Sequence, residues 1–292
     1  MTRQQNRARA MMIVSMAAFG TLALFVRRIS VASAELALYR ALLATLLIGA
    51  YLLATGQRIP LARIRRELPL LLFSGVAMGF NWILLFEAYK YTTVSAATLS
   101  YYFAPVIVTA VCPFLFRERL TRMQILCFAM STLGIVMITG VSGAAQGGRD
   151  LIGIGFGLGA AVLYAAVILI NKFIKNVEGI HRTLLQFLAA AAVLIPYVAL
   201  TGGITLASMD VVGWVCLLIV GLVHTGVTYC LYFTALRDLP GQKTAILSYI
   251  DPLVAVFISV LVLREPMTLW QTAGGALILG FTLLNELKTV KD

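Results

Sequence analysis

The sequence predicts an all-α polytopic membrane protein whose ten transmembrane helices form two five-helix repeats of inverted topology. Three observations lead to this fold class. Of the 292 residues, 61% are hydrophobic and 12% are charged, whereas a soluble domain has about 25% charged residues. Apolar stretches long enough to cross a bilayer recur along the whole chain. Residues 70–133 align without a gap with residues 217–280, at an offset of 147 positions.

Ten stretches qualify as membrane spans, since a spanning helix needs about 20 apolar residues. We expect helices because alternation suited to a barrel strand is missing and every amide in hydrocarbon must be satisfied within the chain. The short loops leave no room for a soluble domain. The predicted spans are residues 10–26, 35–55, 68–89, 93–116, 123–141, 151–171, 183–201, 211–236, 244–263 and 269–287.

The first span has the charge pattern of a cleaved signal peptide, since it follows Arg3, Arg7 and Arg9. Arg27 and Arg28 come directly after it, and no convincing small-residue cleavage site precedes them. We therefore expect this segment to be retained as the first transmembrane helix.

The distribution of basic residues predicts the orientation of the chain. Its formal net charge of +11 can indicate nucleic-acid binding. With the N-terminus inside and ten alternating spans, 17 of the 23 lysines and arginines fall on the inner face and 5 on the outer face, with Arg40 inside a span. This bias predicts two cytoplasmic termini. The basic surface is then expected to face anionic lipid of the bilayer, and no nucleic-acid partner is expected.

Motifs of several other function classes are missing. The four cysteines, Cys112, Cys127, Cys216 and Cys230, fall within predicted spans without metal-ligand or redox spacing, so packing is their expected role. There is no Gly-x-x-x-x-Gly-Lys-Ser/Thr, His-Glu-x-x-His or Gly-x-Ser-x-Gly motif and no repeated selectivity filter. We therefore expect no enzyme activity, no direct use of ATP and no cofactor.

The duplication predicts how the two halves are related. The offset carries the third, fourth and fifth spans onto the eighth, ninth and tenth, so each half has five spans. Because five is odd, the second copy enters the membrane from the opposite side, which makes an inverted repeat. We expect a first repeat in residues 1–141, a flexible glycine-rich linker in residues 142–150 and a second repeat in residues 151–292.

An Arg-Glu-x-x-Thr-x-x-Gln element precedes the last span of each half, beginning at Arg117 and at Arg264. Its Thr-x-x-Gln part has the pattern of a capping box at a helix start. Glu118 and Glu265 come three residues before that start, where a negative charge meets the positive end of a helix. A helix-entry role is expected for both glutamates, and gating at the membrane rim is the alternative.

Two five-span halves that each carry this element resemble the drug/metabolite transporter superfamily, and within it the EamA-type ten-span branch and its YddG-like amino-acid exporters. The family has a glycine–glutamate pair before the last helix of each half. Here Arg117 and Arg264 replace the glycine of that pair. Arg40 matches the family's arginine in the second span. The resemblance implies a bacterial inner-membrane protein that exports amino acids. It is specific for the superfamily and not for the substrate, because relatives carry very different metabolites.

Charged side chains deep in a bilayer cost at least about 2.5 kcal/mol and normally face a cavity or a partner. Glu35 and Arg40 lie at the start of the second span, five positions apart, which is not ideal spacing for a pair on one helix. We expect them to serve an interhelical structural ion pair. Gating of the outer mouth is the alternative.

Polar and aromatic residues also mark the third and eighth spans. Asn81 and Trp82 align with Thr228 and Tyr229, and His224 shares a helix face with Thr228. We expect these spans to line a substrate cavity; a hydrogen-bonded packing role is the alternative for the histidine. Because imidazole can take up a proton near neutral pH, His224 is also a candidate for coupling.

Pro105 and Pro252 align with each other in the fourth and ninth spans. Proline kinks a helix, and interrupted helices at matching positions of two repeats are the strongest sequence indication of a transport site. We expect both prolines to be hinges, and bending without substrate contact is the alternative. The predicted substrate-binding residues are Tyr101, Tyr102, Ser248 and Tyr249 beside the breaks, together with Asn81, Trp82, His224, Thr228 and Tyr164.

Asp251 is a second coupling candidate and has no polar counterpart, since it aligns with Ala104. A carboxylate beside a kink can bind an ammonium group or a proton. Its alternatives are snorkelling and an ion pair with Arg264 near the outer surface.

The sequence therefore predicts a secondary transporter that binds a small organic solute between the halves and works by alternating access. Aromatic and small polar residues suit a neutral, zwitterionic or partly apolar solute. The alternatives are a proton-coupled drug or nucleotide-sugar carrier and, from a different class, a non-transporting membrane receptor or assembly protein. The sequence specifies neither the exact substrate nor the oligomeric state.

Overall fold

The computed structural model describes residues 3–57, 64–116, 121–145, 148–177, 179–206, 209–239 and 247–289, and the regular elements of these residues are helical. Two π-helical segments, Ile219–Val227 and Ile258–Val262, continue the helices that precede them. The α-helices are α1 (Arg3–Gly20), α2 (Leu22–Val26), α3 (Ser33–Ala54), α4 (Leu68–Tyr91), α5 (Val94–Tyr101), α6 (Ala104–Phe116), α7 (Arg122–Ala145), α8 (Arg149–Phe173), α9 (Gly179–Thr201), α10 (Val211–Leu218), α11 (Thr228–Asp238), α12 (Ile250–Phe257) and α13 (Leu269–Thr289).

Many of these helices have the length and composition of membrane spans. Among the described residues, six are long and apolar enough to cross a bilayer, and three shorter apolar helices accompany them. The six are Gln4–Val26, Ser33–Ala54, Leu68–Tyr91, Arg149–Phe173, Gly179–Thr201 and Val211–Tyr232, and the shorter ones are Val94–Val108, Arg122–Ile138 and Ile250–Val262. The predicted all-α membrane fold is confirmed, and the count of ten spans stays a prediction.

The two halves of the chain are interleaved. Helix α4 packs along α8, α7 packs along α13, and α9 lies against both α3 and α4. Helix α1 packs against α11 and α12. Each of these pairs joins one half of the chain to the other, so a cavity at the centre is lined by both.

Helices α7 and α13 approach so closely that their backbones touch. A Cβ atom added to Gly134 would lie 2.6 Å from the carbonyl oxygen of Gly274, and one added to Gly274 would lie 2.5 Å from that of Gly134. Small residues allow this kind of approach between membrane helices, where dispersion contacts rather than water drive association. The glycines are therefore required by packing.

Two helices are interrupted at equivalent positions of the repeat. Helix α5 ends at Tyr101, and α6 begins at Ala104. Residues 247–248 are helical, residue 249 is in a turn, and α12 begins at Ile250. Pro105 and Pro252 thus lie in the first turn of the helix that follows each break, where an amide hydrogen has no intrahelical partner to lose.

The glycine-rich region between the halves is partly helical. Helix α7 continues to Ala145 and α8 begins at Arg149, so residues 142–145 belong to a helix. Gly148 has φ of +85°, the left-handed conformation that favours glycine. Residues 146–147 lie outside the described part of the chain.

Candidate functional site

A cavity of about 270 Å³ lies between the two halves, where both helix breaks meet. We call it the central cavity. It is lined mainly by aromatic and aliphatic side chains, with Arg40, Thr98, Ser248 and Asp251 as its other polar residues. Its tyrosines are Tyr89, Tyr101, Tyr102, Tyr164, Tyr229, Tyr232 and Tyr249. Such a surface combines apolar contact area with a few polar groups that can orient a ligand.

The structure brings the residues beside the two breaks together on the central cavity. Tyr101, Tyr102, Ser248 and Tyr249 all line it, as does Pro105. Tyr101 and Tyr249 are 148 positions apart in the sequence, yet the interleaved halves place them around one space.

Trp82 and Tyr164 complete the group of predicted residues on the central cavity. The ring of Tyr101 lies 5.2 Å from that of Tyr164, measured between centroids, and 5.9 Å from that of Tyr102. Trp82 packs edge-on against Phe187 at 5.3 Å. Aromatic pairs in these arrangements attract one another and so stabilise the cavity wall.

Asp251 connects the two breaks across the central cavity. The Tyr102 hydroxyl donates a hydrogen bond of 2.5 Å to Asp251 Oδ2. Asp251 also lies in the first turn of α12, where the partial positive charge of a helix start favours a carboxylate. The alternative of an ion pair with Arg264 is wrong, because the described ion pairs do not include one between these two residues.

Arg40 lines the same cavity with only 3% of its surface exposed. Its Nε donates to Thr225 Oγ1 at 2.6 Å. Its guanidinium carbon lies 4.5 Å from the ring centroid of Trp82 and 5.7 Å from that of Phe86. A guanidinium over aromatic faces gains cation–π attraction that partly offsets desolvation.

The predicted interhelical ion pair of Glu35 and Arg40 is wrong. Glu35 is fully buried and accepts hydrogen bonds from the Tyr39 hydroxyl at 3.0 Å and from Thr205, whose backbone N and Oγ1 lie 2.8 and 2.5 Å away. Within the described residues, neither Glu35 nor Arg40 takes part in an ion pair. Neutral donors, rather than the arginine, satisfy the glutamate.

Three predicted residues lie away from the central cavity. Asn81 donates to the Ala160 carbonyl at 2.6 Å and joins α4 to α8. Thr228 donates to the carbonyl of Val223. His224 has Thr21 Oγ1 3.0 Å from its Nε2 and packs against a phenylalanine ring. Each of the three makes a hydrogen bond within the protein, and none of them lines the central cavity.

The π-helical segment Ile219–Val227 explains why the eighth span shows a different face from the one predicted. Thr225 and Thr228 donate to carbonyls five residues earlier rather than four. The wider turns rotate the following residues relative to an ideal helix. Tyr229 and Tyr232 therefore line the cavity. Tyr229 was recoverable from the sequence, since it is the repeat partner of Trp82.

Glu265 joins the two halves at one rim of the bundle. Its carboxylate pairs with Arg27 and accepts hydrogen bonds from the Val94 backbone N at 2.8 Å and from Ser259 Oγ at 2.5 Å. Arg27 also donates to the Thr92 carbonyl at 2.8 Å. We call Arg27, Val94, Ser259 and Glu265 the Glu265 cluster. Thr98 of the central cavity follows Val94 by four residues, or about 6 Å of helix.

The helix-entry role predicted for Glu265 is wrong in its target, because the carboxylate serves the start of α5 and not that of α13. The capping box itself is present at the start of α13. The backbone N of Thr268 donates to Gln271 Oε1 at 3.0 Å, and the backbone N of Gln271 donates to Thr268 Oγ1 at 3.2 Å. Thr121 and Gln124 form the matching box at α7. Glu118 lies outside the described residues.

Glu67 performs a comparable function just before α4. It accepts hydrogen bonds from the backbone N of Lys175 at 3.0 Å and of Asn176 at 3.1 Å, and from Asn176 Nδ2 at 2.9 Å. The backbone amide of Lys175, followed by those other donors and the charge of Arg182, holds the pKa of Glu67 below its ordinary value. This residue fixes the turn between α8 and α9.

Comparison with known proteins assigns the family. The profile of the EamA-like transporter family matches residues 7–140 and again residues 151–286. The chain belongs to the EamA-like transporter family. The family's membrane transporters are not enzymes, so the central cavity is a candidate transport site rather than an active site.

Relatives of this EamA-like transporter are also named as transporters. The uncharacterized transporter YxxF of Bacillus subtilis is 30% identical over 279 residues, which cover 95% of this chain and 88% of that protein. An uncharacterized transporter of Archaeoglobus fulgidus is 28% identical over 199 residues, 68% of each chain. A crystal structure that is 18% identical covers 97% of this chain and 98% of its own, with a TM-score of 0.66, and so shares the fold.

Proposed function

We propose that this EamA-like transporter is a secondary transporter that exports small metabolites, amino acids first among them, across a bacterial inner membrane by alternating access. The observation that carries this proposal is the central cavity, which both halves line at their helix breaks and which holds a guanidinium and a carboxylate. Discontinuous helices at a repeat interface are the usual place of a transporter's substrate site.

The chemistry of the cavity supports a zwitterionic substrate. Arg40 offers a positive group and Asp251 a negative one, which match the carboxylate and the ammonium of an amino acid. The tyrosines supply apolar area for a side chain. The volume of about 270 Å³ is below the range of about 300–1,000 Å³ typical of drug-sized ligands, which favours a small metabolite over a nucleotide sugar.

The proposed topology has ten spans and both termini in the cytoplasm, and the helix bounds support the number of spans. The six long spans, the three shorter apolar helices and α13 account for the ten predicted stretches. The paired breaks before Pro105 and Pro252 are the hinges in this proposal, because a helix bends most easily where its hydrogen-bond ladder is interrupted. Rocking of the halves about these breaks would expose the cavity to each side in turn.

Reconstitution tests the proposal. Purified protein in liposomes is assayed with each of the twenty amino acids, with and without a pH gradient, and protein-free vesicles are the control. We expect at least one amino acid to cross faster than in the control vesicles. If no amino acid or related metabolite does so with folded protein, the proposed function is wrong.

Proton coupling is a second candidate, which Asp251 favours because a partly buried carboxylate in the cavity can carry a proton or an ammonium group. A coupled carrier moves protons together with substrate, and Asp251→Asn abolishes the proton flux. Facilitated diffusion leaves the substrate flux insensitive to a pH gradient. His224 remains a weaker candidate because it lies away from the central cavity.

A further inference from the structure

Arg40 is a buried cation without an anionic partner in the described residues. Its surface is 3% exposed, and its one hydrogen bond there runs from Nε to Thr225 Oγ1 at 2.6 Å. The two ion pairs that this part of the chain contains do not involve it. Burying a charge without a counter-ion costs several kcal/mol. A cavity-lining cation that lacks an anionic protein partner is suited to binding an anion from solution.

The carboxylates near the cavity and the rim make contacts with residues other than Arg40. Asp251 accepts from Tyr102, Glu35 accepts from Tyr39 and Thr205, and Glu265 pairs with Arg27. None of these carboxylates forms an ion pair with Arg40, which is the cation that lines the central cavity.

The contacts of Arg40 orient it for a planar anion. Trp82 lies under the guanidinium, 4.5 Å from its carbon, and Thr225 holds the Nε edge. Thr225 is itself fixed, because it is fully buried and its hydroxyl donates to the Val220 carbonyl at 2.8 Å. Within the described residues its two terminal NH₂ groups have no hydrogen-bond partner, so they are available as a pair of parallel donors. This geometry matches the two oxygens of a carboxylate.

We propose that Arg40 is the carboxylate-binding residue of the central cavity, and that Thr225 and Trp82 are the residues that position it. The ligand class is an organic acid with a free carboxylate, which in the proposed function is an amino acid. This inference deepens that function and rests on it. In this proposal Arg40 binds the ligand, instead of forming the structural ion pair that the sequence predicts for it.

Trp82 provides a direct reporter of binding. The other two tryptophans, Trp214 and Trp270, are 40% and 58% exposed, so replacing both with Phe leaves one fluorophore beside Arg40. This single-tryptophan protein is titrated with alanine, leucine and phenylalanine and with the amide of each. The amide keeps the ammonium and the side chain and loses only the carboxylate charge.

We expect a saturable change in Trp82 fluorescence with at least one of the acids, and binding of its amide weaker by about 10- to 100-fold, the range for a charge-assisted hydrogen-bonded pair. In Arg40→Gln, this preference for the acid should fall to within about 3-fold, and Arg40→Lys should retain part of it. The matched control is Arg28→Gln, since Arg28 is exposed and does not line the cavity.

Equal binding of acid and amide by the unsubstituted cavity would overturn the inference, and so would an unchanged preference in folded Arg40→Gln. An absence of any response to the three acids would also overturn it. If Arg40→Gln does not fold, the comparison of acid with amide in the parent protein still decides. Carboxylate-dependent binding without flux in liposomes would instead refute the proposed function and leave the binding site intact.

Discussion

At the residue scale, the seven tyrosines are the most frequent side chains in the lining of the central cavity. Tyr101 and Tyr249 come from different halves and stand beside the two breaks. Tyr102 extends this pattern with a hydrogen bond to Asp251 that ties one break to the other. Contact with substrate and support of the cavity wall are therefore combined in neighbouring side chains.

Truncating these tyrosines tests whether they bind substrate. Tyr101→Ala and Tyr249→Ala should each lower the flux of amino acids by about 10-fold, the effect of losing one well-packed aromatic contact. Folded yield should be unchanged. Tyr51→Ala is the matched control, since Tyr51 is 44% exposed and does not line the cavity. Unchanged flux in both cavity variants would place the site elsewhere.

At the element scale, the close helix pairs depend on positions where no side chain fits. Replacing Gly274 with Leu should separate α7 from α13 and destabilise the protein by about 1–3 kcal/mol, the usual cost of overpacking. Gly280→Leu is the control on the same helix, because nothing lies within 4 Å of a Cβ added there. Melting temperatures in detergent compare the two variants. Equal temperatures would contradict the packing of α7 on α13.

Glu67 gives a prediction about pH at the α8–α9 turn. Because its pKa is lowered from an ordinary value of 4.5, its contribution to stability is present above that value and is lost as the pH falls through the lower folded-state pKa. Glu67→Gln should therefore lower the melting temperature at pH 7 and have a smaller effect at strongly acidic pH.

The control for Glu67 is Glu87→Gln, which removes an exposed pair with Lys90 at 3.1 Å. Exposed pairs of this kind contribute about 0–1 kcal/mol, so little change is expected. An effect of Glu67→Gln that stays constant between pH 7 and strongly acidic pH would show that its hydrogen bonds do not favour the ionised carboxylate.

The elements also show how far the sequence could predict the site. The paired breaks were predictable, because proline acts locally through its missing amide hydrogen and its ring. The face presented by the eighth span was not, because the π-helical segment Ile219–Val227 shifts the register and no proline marks it. Glu265 was assigned to the nearest helix start, since its true partners, Arg27 and Val94, are distant in sequence.

At the scale of the whole molecule, helices from both halves of the chain line the central cavity. The orientation of each half in the membrane therefore decides how the cavity is placed. The inverted arrangement of ten spans predicts that Arg28 and Gly202 face the outside and that Thr55 faces the cytoplasm. All three residues are exposed and lie at helix ends or in loops, so substitutions there should be tolerated.

Cysteine labelling tests this topology. In a variant whose four native cysteines are replaced by Ala, Arg28→Cys and Gly202→Cys should react with a membrane-impermeant maleimide added to intact cells. Thr55→Cys should react only after the membrane is permeabilised. Labelling of Thr55→Cys in intact cells, together with protection of the other two, would reverse the predicted orientation.

The central claim is that the cavity between the halves is the path of a small amino-acid-like solute. The measurement that tests it most directly is uptake of radiolabelled amino acids into liposomes that contain the purified protein, compared side by side with Tyr101→Ala and with protein-free vesicles. We expect saturable flux of at least one amino acid, about 10-fold lower in the variant. Flux equal to that of empty vesicles from correctly folded protein would contradict it.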